Sequence, residues 1–248
     1  MNSNGLALTA RYAYPPNSFS LCGPNKQSDL AWYSATQKIT KGTKEILENF
    51  STLFPYLTLI ARYNNISDPF DPRVVEAYWI GNELLLQVPA HALGNLITDT
   101  LQIKKKITKG QMSKLTHKIN KQAYPHHTFH VLNVYKRTGH DPSTHTLQTV
   151  DACIINWGKV INKSSTSITI LTKPLQYINE KLIFGKQIQR VIKLQGENDV
   201  QAKHIKTGTI VSYHWGYVCN TLSQHQLLNL QKFTYHAIAH VNNTNTRS

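Results

Sequence analysis

Ala123-Tyr124-Pro125-His126-His127-Thr128-Phe129-His130-Val131 divides the chain into two regimes of hydrophobic patterning. Before it, apolar residues recur at helical spacing. After it, Val, Ile, Thr and aromatic residues fall in short runs bounded by turn residues. Pro125 punctuates the change. The reading is an α+β fold. Residues 1–124 form a mainly helical region, and residues 125–248 an antiparallel sheet or small barrel with a closing C-terminal helix. The two regions are either separate or fused into one domain.

Working back toward the N-terminus, Ser28 or Asp29 caps a helix beginning near Leu30. A second helix covers Thr43 to Phe54, and Pro55 restarts the pattern over Tyr56–Tyr63. The clearest start signal is Phe70-Asp71-Pro72: a favoured N-cap, proline at the first helical position, and Phe70 placed to staple against Val75. Val75, Tyr78, Trp79, Leu85 and Leu86 carry that helix to Gln87. Gly81 within it costs about 1 kcal/mol relative to Ala, so close packing is its expected use. Further helices run from Pro89 to Ile103 and over Gln111–Gln122. Working forward, strands are expected at His126–Tyr135, Leu147–Trp157, Ser167–Leu171, Phe184–Leu194 and Thr209–Tyr213, and a closing helix at Ser223–His240.

Composition narrows the function classes. Of 248 residues, 40% are hydrophobic and 16% charged, the profile of a chain with a folded core. Lys and Arg number 27 against 13 Asp and Glu, a formal charge of +14. That excess favours nucleic acid, anionic lipid or an acidic partner, although AT-biased coding produces the same composition. Lys104–Arg137 contains no acid. Lys104, Lys105, Lys106, Lys109, Lys114, Lys118 and Lys121 are its candidate nucleic-acid contacts, for weak, salt-sensitive binding without a base-reading motif. Met1–Ala10 lacks the features of a signal peptide. Thr209–Gln231 is free of charged residues but carries His214, Gln224, His225 and Gln226, so no membrane span is expected. Three widely spaced cysteines suit reduced thiols and a cytoplasmic location.

The residues able to carry chemistry are scattered Cys and His. On a strand, His126 and His130 would share a face, with His127 on the other. Cys22 lies in the turn Leu21-Cys22-Gly23-Pro24, Cys153 in Asp151–Gly158, and Cys219 follows His214-Trp215-Gly216-Tyr217-Val218. No CxxC pair exists, so any metal site must be assembled in space. His126, His130, His214, Cys22, Cys153 and Cys219 are the candidate ligands of a transition metal or members of a redox site. Each also has a bland reading, as a small buried thiol or a polar edge-strand imidazole. His236 and His240 stand at i and i+4, where His240 suits the end of a helix. Glu76 and Glu83, two turns apart on one helix, would be about 10 Å apart. The nucleophile-elbow, Walker and dinucleotide signatures are absent. The Cys22 turn, the His126–His130 segment and His214–Cys219 are expected to meet at one site beside the Asp71–Leu86 helix, because each breaks a local stability rule.

Five segments resemble an uncharacterised bacterial family of unknown function: Ala10–Asn17 leading into Cys22-Gly23-Pro24, Asp68–Asn82, His126–Val131, Asp151–Val160 and His214–Cys219. The resemblance implies no activity. It implies an association with metalloenzymes such as nickel–iron hydrogenases, and so an accessory role. The leading expectation is an accessory or binding protein with a Cys/His metal or redox site, assisting the maturation of a metalloenzyme, with that enzyme or another acidic protein as partner. The alternatives are a basic nucleic-acid-binding protein and a thiol- or His-dependent enzyme.

Overall fold

The computed structural model describes residues 2–102, 105, 108–120, 122–134 and 146–245. The N-terminal half is helical: α1 (Ser3–Ser18), α2 (Gln27–Thr36), α3 (Lys41–Glu48), α4 (Leu53–Tyr63), α5 (Pro72–Trp79), α6 (Ala90–Asn95) and α7 (Lys109–Asn120). Asn2 caps α1 by accepting from Gly5 N at 3.4 Å. Pro15 and Pro16 lie inside the last stretch of α1. Pro55 falls in the first turn of α4, where its missing N–H would have had no intrahelical partner, and the helix therefore runs straight through it. Asp71 caps α5 as its sequence announces, accepting from Arg73 N at 2.9 Å, with Pro72 at the first position.

α5 stops at Trp79 rather than reaching Gln87. Gly81 adopts φ +97°, and a Cβ there would lie 2.1 Å from the Phe233 ring, so only glycine admits both the turn and the close approach. A short 3₁₀ segment, Glu83–Gln87, follows under an Asn82 cap. Glu76 and Glu83 therefore do not share a helix, and Glu76 instead accepts from Gln226 Nε2 at 2.6 Å.

Two expected strands are helices. α8 (His127–Asn133) begins directly after Pro125-His126, with His126 Nδ1 accepting from Thr128 N. α9 (Leu147–Cys153) is opened by a reciprocal Thr146–Thr149 capping box. α8 buries most of its circumference, so its β-branched and aromatic residues serve packing and do not select a strand. The strands are β1 (Asn156–Lys163), β2 (Ser167–Thr172), β3 (Leu175–Ile178), β4 (Lys181–Phe184), β5 (Ile188–Lys193), β6 (Ile210–His214) and β7 (Tyr217–Thr221). β1-β2-β5-β7-β6 close into a barrel, and β3 and β4 form a separate hairpin. The pairings are antiparallel except β5 with β7. Val160, Ile168, Ile170, Ile192, Val211 and Val218 fill the barrel. α10 (Gln224–Asn245) closes the chain, packing on α8, and its Asn242 side chain pairs with both backbone groups of Leu182 on β4. His240 thus lies inside α10 and not at its end. The larger apolar core runs from α1 through α10 and includes Ile154 and Ile155 at the entry to β1. No helix among the described residues is long and apolar enough to cross a membrane.

Candidate functional site

Where α1, α5, α8, α9 and the β6–β7 turn meet, a cavity of about 70 Å³ opens. Cys22, Tyr78, Trp79, His127, His130, Cys153, His214 and Trp215 contribute to its wall, and Phe50 and Leu53 supply apolar surface. Three residues on this wall draw closest. One donor atom from each of His127, Cys153 and His214 lies within 4.8 Å of the others. They come from three elements, the first turn of α8, the last residue of α9 and the end of β6, so no sequence spacing could announce them.

Each imidazole is oriented by backbone. His127 Nε2 is 2.9 Å from the Cys153 carbonyl, which can only accept, so Nε2 carries the proton. Nδ1 then accepts from the Tyr78 hydroxyl at 3.1 Å. Burial, chiefly, holds the Tyr78 hydroxyl protonated, well above its usual pKa. His214 Nδ1 is 2.9 Å from the Tyr12 carbonyl and donates to it, leaving Nε2 with a lone pair. That Nε2 is fully buried without a hydrogen-bond partner of ordinary geometry. The paired prolines explain why the Tyr12 carbonyl is available. In α1, the N–H groups of residues 15 and 16 would bond the carbonyls of Arg11 and Tyr12, and proline has none. Those two carbonyls instead accept from Gln195 Nε2 at 2.7 Å and from His214.

Aromatic rings enclose the cluster. Trp79 packs 4.6 Å from His127 and 5.8 Å from His214, with Tyr12 stacked on its far side at 5.2 Å. Burial holds both imidazoles neutral. It pushes His214 down to about 4, against the Tyr12 and Cys153 carbonyls, which favour the proton. It pushes His127 well below the usual value, with His214 adding to the effect. Trp215, with φ +49°, and Gly216, with φ +77°, form the two-residue β6–β7 turn. A left-handed tryptophan is strained backbone, and here it borders the cavity.

The structure brings Cys22, His130, Cys153 and His214 of the expected set onto one wall, and puts His126 and Cys219 elsewhere. His126 caps α8 and stacks on Phe233 at 5.7 Å, its pKa pushed down to about 3 by burial. Cys219 is buried within β7, its thiol directed at the Tyr217 carbonyl at 3.7 Å and its pKa raised by burial. His127, which a strand would put on the opposite face from His126 and His130, is the imidazole that joins the cluster. In a helix, positions 127 and 130 share a face. His130 pairs with the Tyr56 hydroxyl at 3.0 Å. No disulfide links the three cysteines. In the basic segment Lys105, Lys109 and Lys114 are exposed, the Lys118 side chain is not among those described, and Lys104, Lys106 and Lys121 lie outside the described residues.

A family profile described as a family of unknown function, DUF6390, matches residues 1–248. The chain belongs to the DUF6390 family. No curated protein and no solved structure is significantly similar to it. For this DUF6390 chain, the chemistry therefore has to be read from the cavity itself.

Proposed function

We propose that the protein binds a transition-metal ion through His127, Cys153 and His214, and that its accessory role is exerted through that ion. The observation that carries this reading is His214 Nε2. It is a buried lone pair, fixed by the Tyr12 carbonyl on the other nitrogen and within 4.8 Å of a second imidazole and a thiol. A carbonyl-bonded imidazole presenting its second nitrogen is the usual arrangement of a metal-bound histidine. One thiol with two imidazoles suits Zn, Co, Ni, Fe or Cu. A tetrahedral ion needs donors about 3.4 Å apart, given metal bonds of about 2.0–2.3 Å, so a modest contraction completes the site. His127 would release the Cys153 carbonyl, take the ion on Nε2 and donate from Nδ1 to the Tyr78 oxygen. Three protein donors leave a coordination position facing the cavity, which has room for a few waters or one small ligand.

The same residues weigh against a thiol enzyme with His127 as its base. Both nitrogens of His127 are occupied by Tyr78 and the Cys153 carbonyl, so neither is aimed at the thiol as a proton acceptor. The burial of the donors suits a retained ion more than one passed to a metalloenzyme partner, so help to hydrogenase maturation would act with the ion in place.

The test is titration of metal-free protein with Zn²⁺ and Co²⁺, with bound metal measured by mass spectrometry after gel filtration. One ion per chain is expected, with a thiolate-to-cobalt charge-transfer band. His214→Ala, His127→Ala and Cys153→Ser should each weaken binding at least about 100-fold, and Cys219→Ser should leave it unchanged. Stoichiometric binding that survives His214→Ala, or none in the wild type, would sink the assignment.

A further inference from the structure

The barrel carries a second, independent feature on its outer end. Numbered within the barrel, β1, β2, β5, β6 and β7 are strands 1 to 5. They run in the order 1-2-3-5-4 and close on strand 1, with strands 3 and 5 parallel. That is the Greek-key order of the five-stranded OB barrel. The 3₁₀ segment Val200–His204 sits between strands 3 and 4. Fold order alone assigns no ligand, so the inference rests on what this barrel displays at the end bearing its β1–β2 turn. Ser167 at the start of β2 pairs with Lys193 at the end of β5, so the β1–β2 turn lies there, whereas the β6–β7 turn adjoins Asn156 at the start of β1, toward the other end.

Between α2 and the β1–β2 turn lies a cleft of about 690 Å³. Lys38, Lys163 and Lys203 line it, together with Ser164, Ser165 and the indole of Trp32, which is 47% exposed. Lys163 is held in place, donating to the carbonyls of Ala202 and Ile205. The acids of the cleft do not balance the three lysines. Asp199 is sealed in an ion pair with Arg11, which leaves Glu197. Exposed rings beside fixed cations are what a flexible polyanion with unpaired bases uses: phosphates meet lysines and bases stack on rings. A duplex hides the faces of its bases and gains nothing from Trp32, and a neutral glycan gains nothing from the lysines.

We propose that this end of the barrel binds single-stranded nucleic acid, with phosphates at Lys38, Lys163 and Lys203 and a base stacked on Trp32. The site is distinct from the Lys104–Lys121 segment and does not depend on the metal centre.

The test is fluorescence anisotropy of a labelled oligodeoxythymidine or oligouridine of about 16 nucleotides, the upper range for one OB barrel. The competitors are duplex DNA of equal length, heparin and a neutral maltooligosaccharide. Binding at low salt is expected, with a log–log salt slope of about −2 for three phosphate contacts. Trp32→Ala should weaken it about 5- to 100-fold. Lys38→Glu with Lys203→Glu should weaken it at least about 10-fold and flatten the slope. All three residues are exposed, so circular dichroism should show unchanged folding. The proposal is overturned by absence of binding at low salt, by equal affinity for duplex and heparin that Trp32→Ala leaves unchanged, by a preference for the neutral glycan, or by loss through Lys109→Glu and Lys114→Glu instead.

Discussion

His126, His127 and His214 are all buried, and burial depresses the pKa of each: to about 3 for His126, to about 4 for His214 and well below the usual value for His127. In the unfolded chain each titrates near 6.5. Below that pH the unfolded state binds protons that the folded state refuses, so stability is complete above about pH 6.5 and falls as the pH drops toward 4. Each histidine removes about 1.4 kcal/mol per pH unit in that window. Between pH 6.5 and 5 the three together remove on the order of 5 kcal/mol, comparable with the whole stability of many domains. Urea unfolding at pH 7.5, 6 and 5 should show this loss. A midpoint that does not move across the range would show that the imidazoles are hydrated in the folded state. Asn133 and Trp79 are equally buried, but neither titrates here, so the acid sensitivity belongs to the histidines.

At the scale of the element, α1 does two jobs with one irregularity. Prolines inside a helix normally cost about 3 kcal/mol. Placed near the end of α1, Pro15 and Pro16 release two carbonyls, and both carbonyls are taken by the barrel side of the molecule, through Gln195 and His214. The Tyr12 carbonyl selects the His214 tautomer. Pro16→Ala would restore an N–H beside that carbonyl and compete with His214 for it. The expected outcome is metal affinity reduced about 10-fold, in the range of lost outer-shell contacts, without a fall in melting temperature. Unchanged affinity would mean that the prolines serve only the shape of the helix.

At the scale of the molecule, a buried ion pair ties the helical half to the barrel. Arg11, 1% exposed, bonds both carboxylate oxygens of Asp199 at 2.7 and 3.2 Å, the Cys219 carbonyl at 2.6 Å and the Ser34 carbonyl at 3.0 Å. Asp199 also accepts from the backbone of Gln195 and Gln201. α1, α2, β7 and the loop after β5 thus converge on one guanidinium. Removing one partner strands a buried charge, at a cost of about 3–5 kcal/mol. Asp199→Ala should therefore shift the urea midpoint strongly, and adding Arg11→Met to it should recover part of the loss. A single-variant loss below about 1 kcal/mol would show that water reaches the pair.

The sequence by itself determined the division into a helical half, an antiparallel sheet or small barrel and a closing helix, because hydrophobic period and turn residues are local properties. It also determined the Asp71-Pro72 helix start, a signal complete within a few residues. It also pointed to the Cys22 turn, the His126–His130 run and the His214–Cys219 segment as neighbours, and Cys22, His127, His130 and His214 do line one cavity. Only the tertiary structure decided that His127–Asn133 and Leu147–Cys153 are helices, since burial and end-capping there outweigh β propensity. That change of period put His127, and not His126, on the cavity wall. Likewise the Arg11–Asp199 pair joins residues 188 positions apart. The cluster of His127, Cys153 and His214 exists only where three elements converge, and no local rule encodes a distance between residues that far apart in the chain.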